Sequence, residues 1–486
     1  MVKDFRQIVA QWIDLLYYVV CSAYLPLYAI RTTQYATIAK FAVLIFLFLP
    51  LTACSLIESP PTVQMPTPVA TAVPWDANQI PSVDVVVDPA SDIVPAIDPD
   101  IQSLIDSVSQ QQLMGYVQTL EGFGTRSIFS ETQNPDFGIG AARQWIFNEF
   151  TRVGNGRLRV EFQEFPLNYN GVLANPANVV ATLPGSEESN QAIIIMAHYD
   201  NRSYEILDGE SLAPGANDNA SGVSLLLETA RLLSSREWDN TIIFVALAAE
   251  EQGTYGASHF VQDAFLDGLD IVAAINYDGV GGREGIPQSV RLFAPNLLQS
   301  PSGELARYYE YIAGLYLPRF PVTVIDALDR EGRYGDHREF INAGMPAIRV
   351  IESEEDPDLV NSKRDTWQLV DFNYLQQVVQ LNVAVVANLA GAPLTTEPPL
   401  ITARDIPGEY QIRWRVDDNA AGYGIVFRPL TETSYPTFRF VRARESGNVI
   451  LTGLDPNMIY GVSMTALDEY GRLGDFTPEV IVEPIP

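Results

Sequence analysis

His198-Tyr199-Asp200, Asn217-Asp218-Asn219, Glu250-Glu251, Asp278 and Asp336-His337 bring imidazole and carboxylate groups into five short segments of one stretch of chain. The chain has three histidines, and two of them fall in this set. Imidazole suits zinc as a borderline-soft ligand, and a carboxylate can hold one ion or bridge two. Such a mixed donor set points to a metal hydrolase.

The elements around these residues are those needed to bring them together. Ala192–Ala197, Thr241–Ala248, Ile271–Asn276 and Ala347–Ile351 are short apolar runs rich in Ile and Val, which predicts strands buried on both faces. Between them, Ser221–Leu233 carries Val223, Leu226, Leu227 and Ala230 at helical spacing, and Asp371–Leu389 repeats the pattern with Val378, Val379, Leu381 and Val385. Alternating strand and helix predicts an α/β fold, a mixed, mostly parallel sheet covered by helices on both faces. His198, Glu250-Glu251 and Asp278 each follow a predicted strand. Ligand sites in such sheets lie at the carboxyl ends of the strands, so these groups converge on one rim. Adjacent Glu250 and Glu251 point to different sides of the chain there, so one can bind metal while the other moves a proton.

The 486 residues exceed one ordinary core, and 47% hydrophobic with 19% charged residues describes a globular chain. The net charge of −30 excludes nucleic acid as a partner, because phosphate binding needs clustered Lys and Arg. Residues 1–53 read as a leader: Lys40 precedes the apolar run Phe41 to Leu49, then Leu51-Thr52-Ala53-Cys54. That ending resembles a bacterial lipobox, which implies export and a membrane anchor through lipid on Cys54. An upstream apolar run, Ile8 to Ile30, is either a translation-start artefact or a first membrane segment. The stretch 54–99, with Pro60, Pro61, Pro66, Pro68 and Pro74, predicts an extended tether, and order is expected from near Ile101. Only Cys21 and Cys54 exist, so cleavage before Cys54 leaves no disulfide framework.

Residues 398–486 change character. Ile412–Val416, Gly422–Phe427 and Tyr460–Ala466 alternate as half-buried strands do, which predicts an all-β sandwich. Trp414, Leu451-Thr452-Gly453-Leu454-Asp455-Pro456 and Tyr460 resemble a fibronectin type III domain. It offers no catalytic constellation, and its expected work is adhesion, spacing or substrate presentation.

Met196–Asp200, the Gly-Ala-Asn-Asp-Asn-Ala-Ser-Gly block at 215–222, Phe244–Glu251, Asn276-Tyr277-Asp278 and Gly335–Phe340 resemble, in that order, the secreted di-zinc aminopeptidases of bacterial leucyl-aminopeptidase type. The resemblance spans about residues 100–395. It implies one zinc on His198 and Asp278, a second on Glu251 and His337, and Asp218 bridging them. It further implies Asp200 as the group orienting His198, Glu250 as the general base, and peptide or protein N-termini as substrate. Two positions depart from the pattern. Asp336 stands where some relatives have Tyr before the last ligand, with Tyr334 a possible substitute. Asn361-Ser362 stands where many have a histidine. His259 reads as a structural residue. Within the same superfamily a glutaminyl cyclase-like enzyme with one zinc, or a carboxypeptidase, is the alternative; outside it, a non-catalytic binding protein.

Overall fold

A computed structural model describes residues 87–88, 95–186, 191–393, 397–436, 438–442 and 449–483. The leader, Cys54 and most of the Pro-rich stretch lie outside the described residues.

Eight strands form the main sheet: β1 (Arg159–Glu164), β2 (Ala177–Leu183), β3 (Gln191–His198), β4 (Thr241–Leu247), β5 (Asp270–Tyr277), β6 (Val290–Ala294), β7 (Val322–Asp326) and β8 (Ala347–Glu352). Their order is β7-β6-β8-β5-β3-β4-β2-β1. The central four, β8, β5, β3 and β4, run parallel, while β1 and β2 join antiparallel at one edge. The α/β expectation therefore holds, with an antiparallel border that the weak alternation of Arg159–Glu164 did not announce. On β3, Ile193 and Ile195 enter one core and Ala192, Ile194 and Met196 the other, as a period of two requires. Each such buried Ile contributes about 1.5–3 kcal/mol relative to exposure.

Helices cover the sheet: α1 (Pro99–Asp106), α2 (Gln110–Gly122), α3 (Gly138–Val153), α4 (Ser221–Leu233), α5 (Tyr255–Leu266), α6 (Pro301–Tyr316), α7 (His337–Asn342) and α8 (Phe372–Gly391). The predicted apolar faces of α4 and α8 are buried. Asp371 caps α8 by accepting from the backbone N–H groups of Asn373 and Tyr374. The first residues of α4 press on the sheet rim: a Cβ on Gly222 would lie 2.6 Å from the Tyr277 carbonyl oxygen and 2.9 Å from the Ala197 side chain. Only glycine permits that approach.

Beyond α8, β9 (Leu400–Ala403), β10 (Tyr410–Arg413), β11 (Gly422–Pro429), β12 (Arg439–Arg442), β13 (Val449–Leu451), β14 (Tyr460–Leu467) and β15 (Val480–Val482) build two small antiparallel sheets around one core of residues such as Ile412, Ile425, Leu451 and Met464. Val87–Asp88, inside the stretch expected to be tether, pairs antiparallel with β13. Pro81 and Pro89 bracket a Val-rich segment, Val83 to Val87, and the backbone of Val87–Asp88 satisfies an otherwise open sheet edge. The two small sheets also pack on the main domain. Tyr308 on α6 donates to the Leu473 carbonyl, and the buried carboxylate of Glu479 meets Arg307 and Arg428.

Candidate metal centre

His198 closes β3, and its ring is 1% exposed. Its Nδ1 lies 3.0 Å from the Asp200 backbone oxygen, so Nδ1–H donates there and the Nε2 lone pair faces the rim. Nε2 sits 3.3 Å from Asp218 Oδ1 and 3.3 Å from Asp278 Oδ1. A tetrahedral zinc with ligand bonds of about 2.0–2.1 Å spaces its ligand atoms about 3.3 Å apart. Asp218 Oδ1 is buried with no hydrogen-bond partner. An orphaned carboxylate oxygen and a free imidazole nitrogen at that spacing fit a zinc ion. Among the described residues, these three form the one group of His, Cys, Asp or Glu with ligand atoms within 4.8 Å of one another.

The electrostatics agree. Burial alone pushes the His198 imidazolium down, but Asp278 and Asp218 beside it hold its pKa well above the ordinary value. The pocket thus favours positive charge. Burial also pushes the Asp278 carboxyl up, yet the Arg349 guanidinium, 2.8 Å from Oδ2, and His198 hold it far below the usual carboxylate range. Asp278 therefore presents Oδ1 to the centre as an anion while Arg349 fixes Oδ2.

The loops carrying these groups are clamped by buried side chains. Asp365 Oδ1 and Oδ2 accept from the backbone N–H groups of Asn217 and Asp218 at 2.8 and 2.9 Å. Asp200 accepts from the N–H groups of Glu250 and Glu251, both at 3.2 Å. The Arg126 guanidinium, 1% exposed, donates to the carbonyls of Tyr199, Pro214 and Gly215 and ties the two ligand loops together. Gly215 adopts φ +54, and a Cβ there would lie 2.8 Å from Arg126 Nη2.

Asp200 was expected to orient His198 through its carboxylate. It does so through its backbone oxygen, with Oδ1 farther away at 3.7 Å, while the carboxylate secures the Glu250-Glu251 turn. Glu250 lines the cleft on the same rim, and burial beside Asp278, Asp336 and Glu251 pushes its carboxyl well above the usual range.

Glu251 and His337 are placed differently from the other ligand candidates. Glu251 Oε2 pairs with Arg202 Nε at 2.9 Å. The Asn361 amide, with its nitrogen toward Glu251 and its oxygen toward Arg202, lies 2.8 Å from Oε1 and 3.0 Å from Arg202 Nη2. His337 is fully buried, and its Nε2 meets the Leu328 carbonyl at 2.6 Å. Asp336 is buried with both carboxylate oxygens unpartnered. Tyr334 lines the cleft with its ring against Arg338. His259 lies off the site on α5, its ring against Phe165. Sequence reasoning missed Arg126, Arg202, Arg349 and Asp365, and flagged Asn361 only as a departure.

The cleft above the centre has a volume of about 340 Å³. A buried imidazole and two carboxylates at the carboxyl rim of an α/β sheet, with a glutamate beside them, define a zinc-dependent hydrolase. Residues 178–386 match the model of Peptidase family M28. A probable zinc metalloprotease of Leptosphaeria maculans is 32% identical over 414 residues, covering 77% of this chain and 96% of its own length. One of Pyricularia oryzae is 30% identical over 419 residues, covering 77% and 83%. The LapA aminopeptidase of Legionella pneumophila shares the fold, with a TM-score of 0.51 and 21% identity, covering 62% of this chain and 76% of that one. The chain belongs to peptidase family M28. The relatives' shared description, zinc metalloprotease, is broader than the leucyl-aminopeptidase type that the sequence blocks resemble.

Proposed function

We propose that the protein is a metallo-aminopeptidase that removes N-terminal residues from peptides, with zinc on His198, Asp218 and Asp278. The observation that carries this reading is the 3.3 Å spacing of Nε2 from both carboxylate oxygens, with Glu250 on the same rim. Zinc, when bound, lowers the pKa of water and polarises a carbonyl. Glu250 takes a proton from the attacking water and delivers it to the departing amine nitrogen. Its backbone is held for this by the buried Asp200. Asp365 and Arg126 keep Asp218 and the loop after His198 in register. The sequence blocks at 196–200 and 215–222, together with a fold shared with an aminopeptidase, support the choice of N-termini over other peptide bonds.

A second zinc, implied by the resemblance, draws on Glu251, His337 and Asp218. The first site has the stronger support, because its three donors already face one another. That same three-donor centre favours one second reading, a glutaminyl cyclase-like enzyme forming pyroglutamate at N-terminal Gln. Hydrolysis of aminoacyl-amides and dipeptides, run beside Gln-peptides, separates the two. Release of free amino acid from unblocked N-termini is the expected result. Pyroglutamate as the sole product, or cleavage indifferent to N-terminal acetylation, would overturn the aminopeptidase reading.

The leader and the Leu51-Thr52-Ala53-Cys54 ending support export with a lipid anchor on Cys54. Cys54→Ser is then expected to move the protein from the membrane fraction to the soluble fraction. An unchanged distribution would count against the anchor.

A further inference from the structure

We infer that Glu352 and Asn217 are a positioning pair: hydrogen-bonded to each other, they set the spacing of Asp218 from Asp278 and with it the geometry in which both reach the ion. The inference rests on the reading of His198, Asp218 and Asp278 as a zinc site and concerns what holds the two carboxylates in register.

Asp218 and Asp278 lie on separate loops. Asp278 follows β5 at once, and the next four residues each donate a backbone N–H to a side chain. Gly279 donates to Asn219 Oδ1 at 3.2 Å, and Val280 to Ser221 Oγ at 3.0 Å. Gly281 donates to Asn217 Oδ1 at 2.7 Å, and Gly282 to Glu352 Oε2 at 2.9 Å. Three of the four acceptors lie within three residues of Asp218, so the segment carrying one ligand grips the backbone that follows the other. Asn219 Nδ2 also donates to the Tyr277 carbonyl, just before Asp278, at 2.9 Å. A Cβ on Gly281 would lie 2.8 Å from Asn217 Oδ1, so this approach needs glycine.

Glu352 is the acceptor that comes from outside the Asp218 segment. It ends β8 and is 3% exposed. Its Oε1 accepts from Asn217 Nδ2 at 3.0 Å while Oε2 takes the Gly282 N–H. Asn217 Oδ1 is committed to the Gly281 N–H, so its amide cannot turn over without leaving that group unpaired. The direction of every bond in the pair is therefore fixed. Both residues act through the backbone of the ligand loops.

That fixed polarity supplies the test. Glu352→Gln turns an amide NH2 against one of two N–H donors. Asn217→Asp sets a second acceptor against Glu352 Oε1. Made together, the two changes restore each bond with the polarity of the pair reversed: the new carboxylate at 217 accepts from the Gly281 N–H and from the new amide at 352, whose oxygen accepts from the Gly282 N–H.

Zinc affinity of the full chain is measured by competition against a chelator, and the d–d spectrum of bound cobalt reports coordination geometry. Each single substitution is expected to weaken zinc by about 10–100-fold and to shift the cobalt spectrum. The double substitution is expected to recover the wild-type spectrum and most of the lost affinity. Single substitutions that lower the unfolding midpoint but leave the spectrum unchanged would reduce the pair to a folding contact and overturn the inference. A double substitution no better than the singles would also overturn it, and would leave the zinc-site reading standing as long as the wild type binds zinc. A wild type that binds no zinc would overturn both. Where a single substitution prevents folding, recovery in the double substitution decides the matter alone.

Discussion

Asp365 grips the backbone of Asp218: its Oδ2 accepts the Asp218 N–H at 2.9 Å while Oδ1 takes the neighbouring Asn217 N–H at 2.8 Å. The grip spans 147 residues of sequence and fixes the loop whose unpartnered Oδ1 faces His198. Asp365→Asn keeps the shape but can accept only one of the two N–H groups. Zinc affinity is expected to fall by about 10–100-fold, as for other groups that orient ligands. Competition against a chelator of known affinity measures this; an unchanged affinity would show that the loop holds its place without the clamp.

Glu250→Gln preserves size and hydrogen bonding but cannot accept the proton. Bound zinc is expected to stay at the wild-type level while kcat falls by about 100- to 10,000-fold. Metal analysis and steady-state kinetics on one preparation give both numbers. Retained turnover would mean that another group carries the proton.

Asp200→Asn loosens one of the two N–H contacts that hold Glu250 and Glu251. The His198 tautomer, set by the Asp200 backbone oxygen, survives the change. The expected signature is a kcat lower by about 100-fold, the scale of a 1 Å misplacement, with zinc affinity largely kept. A loss of zinc as large as the loss of kcat would return the orienting role to the carboxylate.

Much of the site was legible because its members end strands. Apolar runs buried on both faces gave β3, β4, β5 and β8 nearly to the residue, and the groups at their ends converge because parallel strands share one carboxyl rim. His198 and Asp278 come together in this way, and Asp218 joins them from the segment Ala216–Ala220 that leads into α4. What was not legible depends on long loops. Nothing local in Arg202 or Asn361 marks them as partners of Glu251, since the loop after β3 and the loop over 353–366 decide which side chains arrive there. His337 sits at the start of α7, where the entry geometry of a short helix decides the side to which the ring turns. Val87–Asp88 was hidden by the prolines before it, although its strand propensity was present.

The contact between the small sheets and the main domain has its own signature. Glu479, with a side chain 3% exposed, lies between Arg307 and Arg428, themselves 1% and 0% exposed. Glu479→Ala leaves two guanidinium groups buried without their anion, a change costing about 3–5 kcal/mol. Denaturant unfolding is expected to report a loss of that size; a change below about 1 kcal/mol, the range of a surface pair, would mean that water screens the triad.

Asp98 ties the entrance to α1 to Arg472 in the small sheets. Burial pushes its carboxyl up, but Arg472 and the Asp100 N–H outweigh that and hold it below the ordinary 3.8. The folded value lies under the unfolded one, so the stabilisation is present above about pH 4 and is lost as pH falls through the folded value. The stability difference between wild type and Asp98→Asn is expected to shrink as pH drops below 3.8. A difference independent of pH in that range would show that the carboxylate charge adds nothing.

The central claim is that His198, Asp218 and Asp278 hold the ion on which hydrolysis of N-terminal residues depends. Phenanthroline treatment followed by stoichiometric zinc, with aminoacyl-amide hydrolysis followed throughout, tests it most directly. The prediction is loss of turnover on chelation and full recovery on adding zinc back, with no recovery in His198→Ala. Turnover that persists in the chelated enzyme, or equal recovery in His198→Ala, would contradict it.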